Sequence, residues 1–241
     1  MSVIVDRNAG ESVFSALDRL KISYYKSFDM KKPYFPVNTH PDMQIHFISC
    51  RTAVAAPCAY EYYRSILPHT VTLEKGYADP GDTYPHDAAY NIVKMGKNII
   101  GNINCIDLKL KEIYTGLGFR FINVKQGYTK CSTCIVGSNS AITEDEGIYK
   151  ALKNEGMNIL RLSRGGVTLK GFEYGFIGGA SGFIKKSVLA FNGNVELHPE
   201  ADLIKNFLKE NKVDIIYLSS TKLSDIGSIL YFDENTDRQA T

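Results

Sequence analysis

Long apolar runs are missing from this 241-residue chain, and none of those present exceeds strand length, so no segment reads as a membrane span. An excess of one charge is missing too. The 28 Lys and Arg stand against 26 Asp and Glu, a net charge of +2 at neutral pH. That balance gives no polyelectrolyte argument for a nucleic-acid or membrane partner. The amino terminus lacks the pattern of a secretory signal, and there are only 5 cysteines. The expected state is free thiols in a reducing cytoplasm. The Gly-rich GGASG at 178–182 is too short, and wrongly placed, for a P-loop. Cys131-x-x-Cys134 has no second ligand pair at the spacing of a structural zinc site. The TCIV beginning at Thr133 reads as strand, whereas a thioredoxin-like motif wants a helix start. No metal or other cofactor is expected. What is present, 44% apolar and 22% charged residues, suffices for a core.

Against those absences stands a repeat. A strand, a short turn, a second strand, a helix and a return strand recur about every 45 residues. Aligned on the first bulky apolar residue of each opening strand, the register positions are Phe47, Ile92, Ile135, Phe183 and Ile229. In unit two, Tyr90–Met95 and Asn98–Asn102 flank a Gly96–Lys97 turn. Leu110, Ile113, Tyr114 and Leu117 then fall on one helical face, and Gly118 closes the helix. Unit three repeats the pattern through Thr133–Val136, Ser140–Thr143 and a helix over Asp145–Glu155. Unit four predicts a helix near Pro199–Asn211, with Pro199 in its first turn. Unit one opens with Met43–Ile48. The fifth unit starts at Gly227–Phe232 and takes its second strand, Val3–Asp6, and its helix, Glu11–Leu20, from the other end of the chain. Closure across the ends favours one domain over 1–241 and hides a sheet edge. Three inter-unit stretches, Asp29–His40, Gly76–Pro85 and Ser163–Phe176, are long enough to carry function. Arg238–Thr241 reads as a tail.

Five hairpin–helix–strand units closed through the termini resemble the pentein superfamily, the guanidino-group-modifying fold. Segments such as YPHDAAYN (84–91), GYTKCSTC (127–134), YGFIGGASG (174–182) and NGNVELHP (192–199) resemble a bacterial branch of it. The resemblance covers essentially the whole chain. It implies an α/β, five-unit pseudo-fivefold propeller whose opening strands lie nearest the axis, so that their starts converge on one central pocket. The superfamily includes dimethylarginine dimethylaminohydrolase, arginine and agmatine deiminases and amidinotransferases. It also includes translation initiation factor six, which has no catalytic cysteine, so the fold does not settle function.

The repeat register brings His40, Asp42 and His46 of unit one, His86, Asp87 and Asn91 of unit two, and Lys130, Cys131 and Cys134 of unit three to that pocket. Gly178, Gly179 and Ser181 of unit four and Ser224, Asp225 and Ser228 of unit five join them. A thiolate near an imidazole is the nucleophile of cysteine enzymes, and carboxylates match the planar N–H fork of a guanidinium. Cys134 or Cys131 is therefore the expected nucleophile, with Cys134 favoured by register against His46. The superfamily's order of acid, histidine and cysteine around the ring implies His46 and Asp225 as its partners. Asp42, His86, Asp87, Asn91, Gly178, Gly179 and Ser181 are expected to bind substrate. The expected ligand is a small cationic guanidine or amidine, processed by a hydrolase or transferase. Familiar members carry the cysteine in the last unit, where this chain has Ser224 and Ser228. The same residues admit plainer roles: a buried small thiol, a satisfied core histidine at His46, a turn at His86–Asp87 and close backbone packing at Gly178–Gly179. A propeller that binds a partner without catalysis is the alternative, and oligomeric state is left open.

Overall fold

The computed structural model describes residues 1–32 and 36–233. Residues 33–35, within the predicted Asp29–His40 loop, and 234–241, which include the predicted Arg238–Thr241 tail, lie outside the described residues. The chain opens with β1 (Ser2–Val5), α1 (Glu11–Arg19) and β2 (Ser23–Lys26). Unit one is β3 (Ile45–Ser49), β4 (Thr52–Ala55), α2 (Pro57–Ile66) and β5 (Thr72–Lys75). Unit two is β6 (Val93–Met95), β7 (Asn98–Gly101), α3 (Leu108–Gly116) and β8 (Arg120–Asn123). Unit three is β9 (Thr133–Ile135), β10 (Ser140–Thr143), α4 (Glu146–Asn154) and β11 (Asn158–Arg161). Unit four is β12 (Ser181–Lys185), β13 (Val188–Phe191), α5 (Ala201–Glu210) and β14 (Asp214–Tyr217), and β15 (Leu230–Phe232) follows.

Each of the five sheets has three strands with the same topology. The opening strand runs antiparallel to the second, as a tight hairpin allows. The second runs parallel to the third, which requires the crossover that the helix supplies. In the fifth sheet the opening strand is β15, and it pairs with β1 from the other end of the chain. Ser2 lies opposite Phe232 and Ile4 opposite Leu230. The pentein-like, five-unit ring closed by its terminal strands is thus the observed fold.

Burial follows the same order in each unit. The central strands are almost wholly buried, while four of the third strands are exposed at both ends and β14 at its first residue. A strand covered on both faces reads as a continuous apolar run, as in Val3, Ile4 and Val5. Burying each such side chain stabilises the fold by about 1.5–3 kcal/mol. The helices lay one apolar stripe on their sheets, for example Val13, Phe14, Ala16 and Leu17 of α1. Asp107 and Asp145 cap α3 and α4 by accepting from the first free N–H groups. Four helices end alike, on a residue with positive φ: Lys21, Gly118, Gly156 and Lys212. The next N–H then reaches back into the helix, as Phe119 N does to Tyr114 O at 2.9 Å and Val213 N to Leu208 O at 2.9 Å.

Two boundaries differ from expectation in ways that matter. Pro199 does not sit in the first turn of α5. A 3₁₀ turn at Val195–Leu197 precedes it, and α5 begins only at Ala201, with His198 Nδ1 accepting from Glu200 N at 3.0 Å. In unit one, Pro41–Met43 forms a 3₁₀ turn and β3 begins later than predicted, at Ile45. His40 and Asp42 therefore stand on turns, where strand alternation does not apply. No helix among the described residues is long and apolar enough to cross a membrane.

Candidate functional site

The expected single pocket is two adjacent cavities. The first, about 250 Å³, is an apolar channel that all five register residues line: Phe47, Ile92, Ile135, Phe183 and Ile229. Its polar lining is Asp42, His46, Lys94, Lys130 and Ser181. The second, about 290 Å³, is walled by Tyr128, Phe172, Tyr174 and Phe176, with His40, Cys131, Glu173 and Asp225 as its polar and ionisable groups. Its walls come largely from the predicted Ser163–Phe176 stretch and the segment just before His40. The cavities meet where Cys131 Sγ of the second donates to Asp42 Oδ2 of the first, at 3.0 Å.

Cys131 sits in a helical turn ahead of β9, closed by Ser132 N to Tyr128 O and Thr133 N to Lys130 O. Asn91 fixes that turn. Its Oδ1 accepts from Lys130 N at 2.7 Å and Cys131 N at 3.2 Å, while its Nδ2 donates to Cys131 Sγ at 3.2 Å. Ser228 Oγ donates to Asp42 Oδ2 at 2.7 Å and accepts from Lys130 Nζ at 2.9 Å. The thiol is buried, and burial with the charges of Asp42 and Asp225 pushes its pKa well above the ordinary value.

Asp225 is buried with its carboxylate accepting from Phe176 N at 3.0 Å and Gly227 N at 2.9 Å. Burial raises its pKa, opposed by His40. His40 is held between two carboxylates. Its Nε2 lies 3.8 Å from Asp6 Oδ2 and its Nδ1 3.8 Å from Asp225 Oδ1. A donor atom each from His40, Cys131 and Asp225 lie within 4.8 Å of one another. Among the described residues, this buried trio is the grouping compact enough to hold a metal ion. Donors around a tetrahedral zinc stand closer, about 3.5 Å apart, given bonds near 2.0–2.3 Å. The same trio is a cysteine–histidine–carboxylate set.

Sequence reasoning included Cys131, Asp225, Asp42 and Asn91, and the structure brings these four together. Asp87 reaches the second cavity through another residue, its carboxylate accepting from the Tyr128 hydroxyl. Cys134 is elsewhere. It is fully buried among Val136, Ile142, Ile177 and Leu189, and burial raises its pKa to about 11. Its preference rested on register with His46 and Asn91; it lies in β9, and Cys131 stands in the turn at the strand's entry. His46 is also apart from the trio. Its Nε2 bonds the Tyr114 hydroxyl at 2.7 Å, and burial, with Lys94 and Lys130, lowers its pKa to about 3. The exposed His86 serves a turn, its carbonyl accepting from Gly81 N at 3.1 Å.

Gly178 and Gly179 serve backbone packing. A Cβ on Gly179 would strike the Asp225 carboxylate, and one on Gly178 would strike Lys130 O. Ser181 donates to Ile177 O at 2.8 Å and lines the channel. The register placed His40 and Ser228 at the pocket without giving either a role, whereas Asp6 and Tyr128 were not among the expected site residues. His40-Pro41 also carried a local signal. A residue before proline is pushed to extended backbone, and His40 adopts φ −61°, ψ 121°. Gly227, at φ 66°, leaves room for its ring.

Sequence comparison matches residues 4–230 to DUF6873, a family of unknown function, and the chain belongs to that family. No curated protein matches it. Among solved structures, dimethylarginine dimethylaminohydrolase from Pseudomonas aeruginosa, a cysteine-to-serine mutant complexed with citrulline, is similar in fold. Its TM-score is 0.57 at 11% identity, over 90% of this chain and 91% of that one. The amidinotransferase SxtG of Microseira wollei gives 0.57 at 12% identity over 94% and 80% of the two chains. C. jejuni agmatine deiminase gives 0.51 at 14% identity over 90% and 75%. Identities this low establish the pentein fold and no more.

Proposed function

We propose that this member of a family of unknown function is a cysteine-dependent enzyme that hydrolyses or transfers the guanidine or amidine group of a small cation, with Cys131 as nucleophile. The observation that carries the reading is the buried His40–Cys131–Asp225 trio at the base of a cavity with carboxylates and aromatic walls. Among the described residues no lysine or arginine lines that cavity, while Glu173 and Asp225 do. Carboxylates accept a guanidinium's N–H fork, and the faces of Tyr128, Tyr174 and Phe176 suit its planar cation. The enzymatic neighbours in the same fold support the class.

The chemistry follows from charge. At rest, burial and two carboxylates keep the thiol protonated. A guanidinium beside Asp225 and Asp42 offsets those charges and favours the thiolate. The thiol proton passes to His40, sulfur bonds to the guanidine carbon, and the carbon–nitrogen bond to the departing amine breaks as that amine takes the proton from His40. Water then attacks the sulfur-bound carbon and loses two protons, one to the departing thiolate through His40 and one to the freed amine or solvent, as the carbon–sulfur bond breaks and the ureido product leaves. In a transferase an acceptor amine replaces the water. Asp6 and Asp225, each 3.8 Å from the ring, favour the imidazolium that forms between the two proton transfers.

The test is incubation with a panel of guanidines and amidines, followed by mass spectrometry of the products and of the Cys131 peptide. A new ureido or transferred product, with an adduct on Cys131 that Cys131→Ser lacks, is expected. Calorimetry showing that only anions bind, or turnover that survives Cys131→Ser, would overturn the reading.

A further inference from the structure

We infer that the channel ringed by the five register residues is a second binding site, for a small monocarboxylate with a hydrocarbon or aryl body. Its wall is apolar all round, because the first bulky residue of every opening strand points into it. At about 250 Å³ it falls below the roughly 300–1,000 Å³ of drug-sized pockets, so it suits one ring or a short chain.

Charge selects the head group. Lys94 and Lys130 line the channel, and neither forms an ion pair among the described residues. Each ammonium donates to one neutral oxygen, Lys94 Nζ to Ile48 O at 2.7 Å and Lys130 Nζ to Ser228 Oγ at 2.9 Å. An ammonium has three donors, so both keep capacity for a ligand. Lys94 also lies 5.5 Å from the Phe119 ring centroid. His46, which also lines the channel, is neutral and held by Tyr114, so it adds no charge. Asp42 is the channel's carboxylate, and its Oδ2 already accepts from Cys131 and Ser228. Its buried Oδ1 has no hydrogen-bond partner among the described residues, but two ammoniums against one carboxylate still leave one positive charge to be balanced, which a monoanion does. Among the described residues the neighbouring cavity has carboxylates and no lysine or arginine, so the two sites select ligands of opposite sign. This inference stands apart from the thiol chemistry and survives its failure.

The experiment is methyl NMR of the full chain, titrated with hexanoate and benzoate, with hexylammonium and inorganic phosphate as controls. Saturable shifts are expected at the methyls of Ile92, Ile135 and Ile229 with the carboxylates only. Lys94→Gln and Lys130→Gln should each weaken binding about tenfold, roughly the worth of one charge-assisted hydrogen bond. Equal shifts with hexylammonium would overturn the inference. So would tight phosphate binding, or carboxylate shifts at Leu169 and Val37 beside the thiol in place of the ring isoleucines. The map on the unaltered protein decides the matter even if a lysine variant fails to fold.

Discussion

The thiol cavity and the register-lined channel touch at Asp42, are of similar size and draw on the same ring of strands, yet their chemistry is opposite. The channel is built from equivalent positions of five units, and symmetry makes it an apolar ring with charges added at Lys94 and Lys130. The thiol cavity is built where the units differ: a turn before β9, the 3₁₀ segment around His40, and the Ser163–Phe176 stretch. Repetition provides the frame, and reactive groups collect where it breaks. Buried groups that resist charging lie elsewhere in the ring as well. His46 is one, beside the channel. Glu144, raised to about 8 by burial, is another; it accepts from Ile177 N and lines a separate polar hollow with Arg161 and Arg164.

The largest effect should separate the two buried cysteines. Cys131→Ser should abolish turnover of a guanidine substrate, by at least about 10³-fold, because no other thiol reaches the trio. Cys134→Ala should change turnover only a few-fold and act on stability, by roughly 1–2 kcal/mol, through the cavity it leaves. Steady-state kinetics and urea melts of both variants check this. Equal losses of turnover would erase the distinction between the cavities.

Next, Asp225→Asn should weaken guanidine binding about 100-fold or more, since a buried charge partner is worth several kcal/mol. It should leave hexanoate binding in the channel unchanged. Paired calorimetric titrations measure both arms, and a joint loss would mean that the two sites act as one.

Thiol reactivity sharpens the contrast further. Without ligand, Cys131 should alkylate more slowly than the exposed Cys50 and Cys58 at neutral pH, and its rate should climb with pH beyond the ordinary thiol range. A bound guanidinium should accelerate alkylation at fixed pH. Asp42→Asn should do so without ligand, by removing one charge that disfavours the thiolate. Mass-spectrometric labelling of each cysteine reads the rates, and an unchanged Asp42→Asn profile would show that Asp42 does not set the thiol.

The smallest effects concern stability against pH. An unfolded histidine takes up a proton near 6.5, while His46 stays neutral in the fold down to about 3. Stability from His46 is therefore present above 6.5 and lost as pH falls toward 3. Glu144 acts the other way. It keeps its proton in the fold up to about 8, while an unfolded glutamate ionises near 4.5, so stability falls as pH rises across that window. Each slope is at most about 1.4 kcal/mol per pH unit. Glu144→Gln should flatten the decline and leave the His46 limb, as denaturant midpoints across pH will show.

The ring was legible because periodicity is a property of sequence alone. The five register residues, the turn glycines and the return of the last unit to Val3 all follow from spacing. The site was legible only in part. Cys131, Asp42, Asn91 and Asp225 were found because each stands just ahead of a strand that the register locates. His40 was placed at the pocket by the same register, but no role followed, because it lies in an irregular segment whose path no periodicity predicts. Cys134 was preferred for its register with His46 and Asn91, and register does not reveal that His46 bonds Tyr114 or that the turn before β9 aims Cys131 at Asp42. Gly178 and Gly179 were read as substrate contacts because a sequence does not reveal which backbone will press on Asp225.

The pairing of β1 with β15 also has a consequence during synthesis. β1 is the central strand of its sheet, and its partner on one side is made last, between Leu230 and Phe232. At about 5–20 residues per second, β1 waits roughly 10–45 s on the ribosome with that side bare. Through that interval the nascent chain presents Val3, Ile4 and Val5 on an open strand edge, a form that chaperones bind and that aggregation exploits. A chain terminated before Leu230 never covers that edge, so interrupted synthesis leaves a product marked for capture by its own first strand.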